Sequence, residues 1–115
     1  MNAPERHKAY LLEDDEARVE YAKDQKIPNA GLFTIYKEDH TIGNLVRMQL
    51  LRDSDVRFAG YKLPHPLEHR CLVKVQTTGA KPKEVFLRSI SDLHSEFDYL
   101  DRYFREEVLR FKEAT

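Results

Sequence analysis

The sequence predicts an α+β fold in two layers: an antiparallel four-stranded sheet packed on two helices, in the order ββαββα with a long C-terminal helix. Three observations support it. Polar and apolar residues alternate in four segments, a helical period begins at Thr41, and a second helical stretch runs on from Pro82 without Gly or Pro. The chain has 115 residues, the usual length of a single domain, so one domain is predicted over residues 1–115.

An N-terminal arm and two strands are expected before the first helix. Residues 1–16 mix charges with little apolar pattern, which predicts an extended arm. Residues 18–22 and 31–37 alternate polar and apolar side chains at the period of a strand. In the second segment Phe33 and Ile35 share one face, and aromatic and β-branched residues of this kind favour strands.

The first helix is predicted to begin at Thr41. Thr41 is the expected N-cap, Asn44 occupies the third helical position, and Asp39 suits the positive end of the helix dipole. A helical stripe follows at Ile42, Leu45, Val46, Gln49 and Leu50. Met48 and Leu51 lie outside it, so the apolar arc is wider than one sheet can cover. We therefore expect Leu45, Met48 and Leu51 to contact a partner.

Two more strands and a long helix complete the pattern. Residues 56–63 and 71–78 are the strands, separated by a loop whose prolines exclude a central strand. The helix is predicted over 82–112, about 45 Å at 1.5 Å per residue, whereas a typical strand spans only about 17 to 20 Å. Its apolar residues recur every three or four positions at Phe86, Ile90, Leu93, Phe97, Leu100 and Phe104.

The second half of this helix is predicted to bind a partner, because it extends beyond its own sheet. An apolar patch of that size on a monomer indicates association. The expected interface residues on the long helix are Phe97, Leu100, Phe104, Val108 and Phe111.

Composition excludes several classes of protein. The 19 Lys and Arg residues against 20 Asp and Glu give a net charge of −1, and no basic block marks direct nucleic-acid binding. No apolar run approaches the roughly 18 residues of a membrane span, and residues 1–10 do not resemble a signal peptide. The lone Cys71 cannot form an internal disulfide. A soluble, intracellular protein without a membrane partner is expected.

The sequence gives only weak evidence for a catalytic or metal site, and each cluster of candidate residues is better explained by a structural role. His65, His69 and Cys71 have metal-ligand side chains, but they lie across two prolines and a strand start, so loop and turn roles are expected. The Asp39-His40-Thr41 run has the residue types of a hydrolytic site but lacks a nucleophile elbow, which favours helix capping. No Gly-rich phosphate loop is present. Catalytic, metal and cofactor-binding residues are therefore not expected.

Two alternative interpretations, an RNA-recognition sheet and a solitary coiled coil, are disfavoured by the sequence. An RNA-recognition sheet would need its stacking motif and basic surroundings, and residues 58–61 lack that motif. A solitary coiled coil could use the same heptads, but Glu107 and Val108 break them and the strands upstream give the helix a sheet to pack on.

A family resemblance rests on specific strings. The run KEDHTIGNL at residues 37–45, with PHPLEH at 64–69 and QTT at 76–78, resembles the α-like small subunits of eukaryotic and archaeal RNA polymerases. Essentially the whole chain is covered, and it is more similar to the polymerase II members than to the paralogue shared by polymerases I and III. Gly31 stands where a larger residue is usual and is expected to loosen the second strand.

The resemblance implies a structural role in the nucleus. Such subunits are similar to the dimerisation domain of the bacterial α subunit, and they form a heterodimer with the third-largest, α-like subunit through long-helix packing. The pair supports assembly of the two largest subunits, which hold the catalytic chemistry, alongside other small subunits. Alternatives are the polymerase I and III paralogue, an unrelated homodimeric α+β module and, more distantly, a small enzyme.

Overall fold

The computed structural model describes residues 6–12 and 17–114 and contains the expected order of strands and helices. Part of the predicted arm, residues 1–5 and 13–16, lies outside the described residues. The expectation of an extended arm is wrong at Arg6–Ala9, which forms a 3-10 helix. The other elements are β1 (Val19–Lys23), β2 (Ala30–Tyr36), α1 (His40–Leu51), β3 (Val56–Lys62), β4 (Arg70–Thr77) and α2 (Pro82–Ala114). The predicted α+β order, ββαββα, is confirmed.

The four strands form one antiparallel sheet in the order β1-β2-β4-β3. The central strands β2 and β4 pair over their lengths, with Phe33 opposite Val73 and Ile35 opposite Cys71. Because side chains alternate along a strand, these residues all face the same side of the sheet. Both helices pack on that side; the other side, which neither described helix covers, is called the open side below.

The core lies between the sheet and the two helices. Its buried residues are Phe33, Ile35, Val46, Leu50, Ala59, Cys71, Val73, Val75, Val85 and Phe86. The rings of Phe33 and Phe86 stack with centroids 3.9 Å apart, which fixes the start of α2 over β2. Burying each large side chain contributes roughly 1.5 to 3 kcal/mol, so this cluster accounts for much of the folding free energy.

The expected N-cap of α1 is wrong by two residues. Asp39 is the N-cap: it has extended backbone angles, and its carboxylate accepts a hydrogen bond of 2.9 Å from the backbone N–H of Thr41. Thr41 is thus a helical residue. Asn44 lies too far into the helix to cap it; its side chain accepts from Arg47 and donates to Met48. Aspartate and threonine are both good N-caps, and only the backbone geometry distinguishes them.

Gly31 accommodates a neighbouring aromatic ring in the second strand. A Cβ built on Gly31 would lie 2.4 Å from Cε2 of Tyr21, whose ring also packs against Phe33 at 4.8 Å. The missing side chain therefore gives Tyr21 its place over β2. The expected loosening of the second strand stays a prediction.

Candidate partner-binding face

The long helix is anchored over its first half only. Pro82, Val85, Phe86 and Ser89 are buried and Leu93 is half-buried, whereas every residue from 94 to 106 is exposed. The predicted helical stripe is wrong at Ile90, which is 38% exposed. Val85 and Ser89 take its place against the core, because α2 turns a slightly different side to the sheet than the apolar spacing indicated.

Ion pairs fix the direction in which α2 leaves the sheet. The Arg88 guanidinium bonds both Asp53 and Asp55 in the turn after α1, at 2.8 to 2.9 Å, and these bonds raise the pKa of Arg88. One turn beyond Leu93, Arg52 at the end of α1 contacts Glu96 at 2.9 Å. Exposed pairs of this kind each contribute at most about 1 kcal/mol, but together they orient the helix.

Large apolar side chains follow on the exposed half of α2. Phe97, Leu100, Phe104 and Phe111 are between 51% and 71% exposed, and Val108 is half-buried. At 1.5 Å per residue, the residues from Phe97 to Phe111 cover about 20 Å of helix. These five residues are called the α2 face below. Water contact with so many aromatic groups is unfavourable, so the face is suited to burial against another protein.

The first helix adds exposed apolar residues next to the N-terminal end of the α2 face. Met48 and Leu51 are each 50% exposed, while Leu45 is half-buried. Because Arg52 follows Leu51 and Glu96 precedes Phe97, the Arg52–Glu96 contact brings the end of α1 close to the start of the α2 face.

Other exposed apolar residues were missed by the sequence analysis. Tyr99 and Tyr103 stack with centroids 6.3 Å apart and are both more than half exposed, and Leu87 and Leu109 are also exposed. The spacing of four between the two tyrosines was the available signal, since residues four apart are neighbours on a helix. Because Tyr99 follows Phe97 by only two residues, at about 100° of turn per residue, the tyrosine pair lies on a different side of α2 from the predicted stripe.

The Asp39-His40-Thr41 run is arranged for capping. Asp39 bonds the backbone of Thr41, and Nδ1 of His40 lies 3.0 Å from the hydroxyl of Tyr61 on β3. A nucleophile would need its base and the base's orienting group in one chain of hydrogen bonds. These contacts instead attach the start of α1 to the sheet. The His40–Tyr61 contact joins residues distant in sequence, so no local pattern could have predicted it.

The three candidate metal ligands are placed in different environments. Cys71 is fully buried beneath α1, and burial raises the pKa of its thiol. His65 is exposed in the loop before β4, where its Nδ1 accepts a hydrogen bond from the backbone N–H of Leu67. The backbone carbonyl of His69 accepts from Lys37. Across residues 6–12 and 17–114, His, Cys, Asp and Glu side chains form no group able to hold a metal ion.

In the described part of the chain, neither α1 nor α2 is long and apolar enough to cross a bilayer.

The fold is a sheet packed on two helices, and the longer helix extends beyond the sheet and exposes apolar side chains there. This architecture is typical of a protein-interaction module. A family model described as the RNA polymerase Rpb3/Rpb11 dimerisation domain matches residues 30–102. The chain therefore belongs to the Rpb3/Rpb11 dimerisation-domain family, which confirms the resemblance seen in the sequence.

Several RNA polymerase II subunits are similar to this chain over nearly its whole length. DNA-directed RNA polymerase II subunit rpb11 of Dictyostelium discoideum is 50% identical over 109 residues, covering 94% of this chain and 91% of the relative. A probable RNA polymerase II subunit RPB11 of Caenorhabditis briggsae is 46% identical, covering 100% and 94%. The Schizosaccharomyces pombe subunit RPB11 is 41% identical, covering 93% and 87%.

A solved structure supports the fold. DNA-directed RNA polymerase subunit L from Thermoplasma acidophilum superimposes with a TM-score of 0.69, covering 86% of this chain and 98% of that one. At 21% identity, the similarity concerns the arrangement of strands and helices alone.

Proposed function

We propose that this chain is a non-catalytic assembly subunit of DNA-directed RNA polymerase II. It forms a heterodimer with the third-largest, α-like subunit, and the pair is the platform on which the two largest subunits assemble. It acts in the nucleus, in mRNA transcription, next to other small polymerase subunits. Nothing in this role requires catalytic residues, a cofactor or direct, sequence-specific nucleic-acid binding by this chain.

One structural observation carries the proposal: the α2 face exposes Phe97, Leu100 and Phe104 on a helix that its own sheet no longer covers. A partner helix laid along this face would bury it, as side chains three and four apart on each helix interdigitate. The proposed interface consists of Leu45, Met48, Leu51, Phe97, Leu100, Phe104, Val108 and Phe111. Family membership and the names of the relatives supply the identity of the complex.

The relatives favour polymerase II over the paralogue shared by polymerases I and III. Three relatives that are 41 to 50% identical are each named as polymerase II subunits. An unrelated homodimeric module would use the same apolar face, so the identity of the partner distinguishes the two functions.

Affinity purification of the tagged full chain from nuclear extract tests the proposal. We expect the third-largest polymerase II subunit at one copy per chain, with the two largest subunits present. Recovery of polymerase I and III subunits in their place would assign the chain to the paralogue. Recovery of the chain as a homodimer, free of polymerase subunits, would overturn the proposal.

A further inference from the structure

The open side of the sheet contains a groove with an apolar floor. Its volume is about 670 Å³, and it is bordered by β1, the turn after it, β2, β3 and β4. Leu32 of β2, Leu72 of β4 and Phe58 of β3 are among the lining residues, and Phe58 is 49% exposed. We call this the sheet groove.

The floor lies on the side of the sheet away from the helices. Leu32 and Leu72 alternate with Phe33 and Val73, which face the core, so they point to the opposite side. The sheet groove and the α2 face therefore use different surfaces of the molecule. A ligand in the groove does not compete with the proposed heterodimer.

Gly60 leaves room for the Phe58 ring to lie across the sheet. A Cβ built on Gly60 would meet Cζ of Phe58 at 3.1 Å, so the ring occupies the space above the glycine. The aromatic side chain thus forms part of the groove's surface beside Lys74, which pairs with Gly60 across the strands.

Positive charge surrounds this apolar floor. The lining holds four lysines and a single aspartate, Asp24, which leaves three net positive charges; the lysines are Lys23, Lys26, Lys62 and Lys74. Lys74 pairs with Asp24 at 3.6 Å. Two backbone N–H groups, from Ile27 and Lys26, hold the pKa of Asp24 below its usual value, so it remains ionised. The groove is basic although the chain as a whole has a net charge of −1.

We propose that the sheet groove binds a short acidic segment of a partner protein. Apolar side chains of that segment pack on Leu32, Phe58 and Leu72, and its carboxylates lie beside the surrounding lysines. From β1 to β3 the sheet is about 14 Å wide, the length of about four or five extended residues. Complementary charge of this kind speeds encounter and selects the partner, while the apolar floor holds it.

An acidic peptide fits the groove better than a nucleic acid. Single-stranded nucleic acids bind through several aromatic side chains on which successive bases stack. Among the lining residues Phe58 offers an exposed ring and Tyr61 is half-buried, so the described floor has no row of exposed rings on which successive bases could stack. Aliphatic residues such as Leu32 and Leu72 instead match the side chains of a peptide.

Fluorescence anisotropy with the full chain tests the proposal. The probe is a fluorescein-labelled heptapeptide that alternates Asp or Glu with Leu or Phe, and a second probe has Lys in place of every acidic residue. We expect the acidic probe alone to bind, with affinity that falls as salt is raised. Lys62→Glu and Lys26→Glu should each weaken it by at least about tenfold.

Matched variants separate the groove from other surfaces. Arg102→Glu makes a comparable charge reversal at an exposed site on the second half of α2, outside the groove, and should leave binding unchanged. Leu100→Asp, which alters the α2 face, should also leave it unchanged, so a failure of the proposed heterodimer would not affect this result. The proposal is overturned if neither probe binds, if Arg102→Glu weakens binding as much as Lys62→Glu, or if a single-stranded oligothymidine binds more tightly than the acidic peptide.

Discussion

Gly43 of α1 lies directly against Cys71 of β4: a Cβ built on Gly43 would come within 2.7 Å of the Cys71 sulfur and 2.6 Å of the Tyr61 ring. Both neighbours belong to the core side of the sheet, and Cys71 is fully buried. The glycine lets α1 approach the sheet this closely. It belongs to the KEDHTIGNL string that carries the family resemblance, so the string has a packing role as well as a capping one.

Gly43→Ala is expected to destabilise the protein, although alanine is the better helix former. The gain in helix propensity is about 1 kcal/mol, against an overpacking cost of about 1 to 3 kcal/mol. Chemical denaturation should show a net loss of about 1 kcal/mol in the free energy of unfolding. Gly79→Ala is the matched control, because a Cβ there meets nothing within 4 Å. Equal stability of the two variants would contradict the close approach.

The N-cap assignment makes a separate prediction. Asp39→Ala should lower the free energy of unfolding by about 1 kcal/mol, because the N–H of Thr41 loses its acceptor. Asp39→Ser should restore most of the loss, since serine also caps helices well. Thr41→Ala should change stability by less than about 0.5 kcal/mol, since Thr41 is exposed and its side chain does not cap. If Thr41→Ala lowered the free energy of unfolding more than Asp39→Ala, Thr41 would be the N-cap instead.

Sequence reasoning located the elements because each depends on a local period. The predicted strand at 31–37 is observed at Ala30–Tyr36, and the helix at 82–112 is observed at Pro82–Ala114. Errors arose where two local answers were physically similar. Asp39 and Thr41 are both good N-caps. Val85 and Ile90 are both apolar, and their spacing alone does not determine which of them faces the sheet.

Features built from distant segments could not be predicted in this way. The His40–Tyr61 contact and the sheet groove depend on which strands are neighbours, and the order β1-β2-β4-β3 places β4 between β2 and β3. Leu32 and Leu72 meet on the open face only through that pairing. The α2 face was predictable because a helix longer than its sheet must extend beyond it, whatever the strand order.

Cys71 predicts how stability depends on pH. Burial raises the pKa of its thiol above the ordinary value of 9.0, and the nearby carboxylates of Asp39 and Glu38 add to the effect. The unfolded chain therefore releases the thiol proton at lower pH than the folded protein. Stability is fully present below the unfolded pKa and falls as pH rises beyond it.

Denaturation curves between about pH 8 and pH 10 check this dependence on the Cys71 thiol. Cys71→Ala should be less stable at neutral pH, because it leaves a small cavity, but its stability should fall less steeply in this range. The hydrogen bond to Glu20 raises the pKa of the Tyr36 phenol from 10.0, so Tyr36 adds its own loss of stability toward pH 10. That contribution is the same in both proteins, so the difference between their slopes isolates the thiol. Identical slopes for the two proteins would show that the thiol does not contribute.

The α2 face makes the final prediction, for which Leu100 is the most direct probe. Leu100 is 59% exposed in the isolated chain, so Leu100→Asp should leave its fold and its unfolding transition nearly unchanged. In the complex, the same carboxylate would be buried without a partner, in place of an apolar contact. We expect affinity for the third-largest polymerase subunit to fall at least about 30-fold, equivalent to about 2 kcal/mol.

Ser95→Asp is the matched control, since it places an aspartate on the same helix, at an exposed position away from the apolar stripe. Co-expression of each variant with the α-like partner, followed by pull-down at equal expression, gives the comparison. Ser95→Asp should recover as much partner as the unsubstituted chain, because its carboxylate stays in water on the far side of the helix. Full partner recovery with Leu100→Asp would exclude Leu100 from the interface. Equal losses in both variants would mean that the added negative charge on α2 disrupts the complex, and not the burial of residue 100.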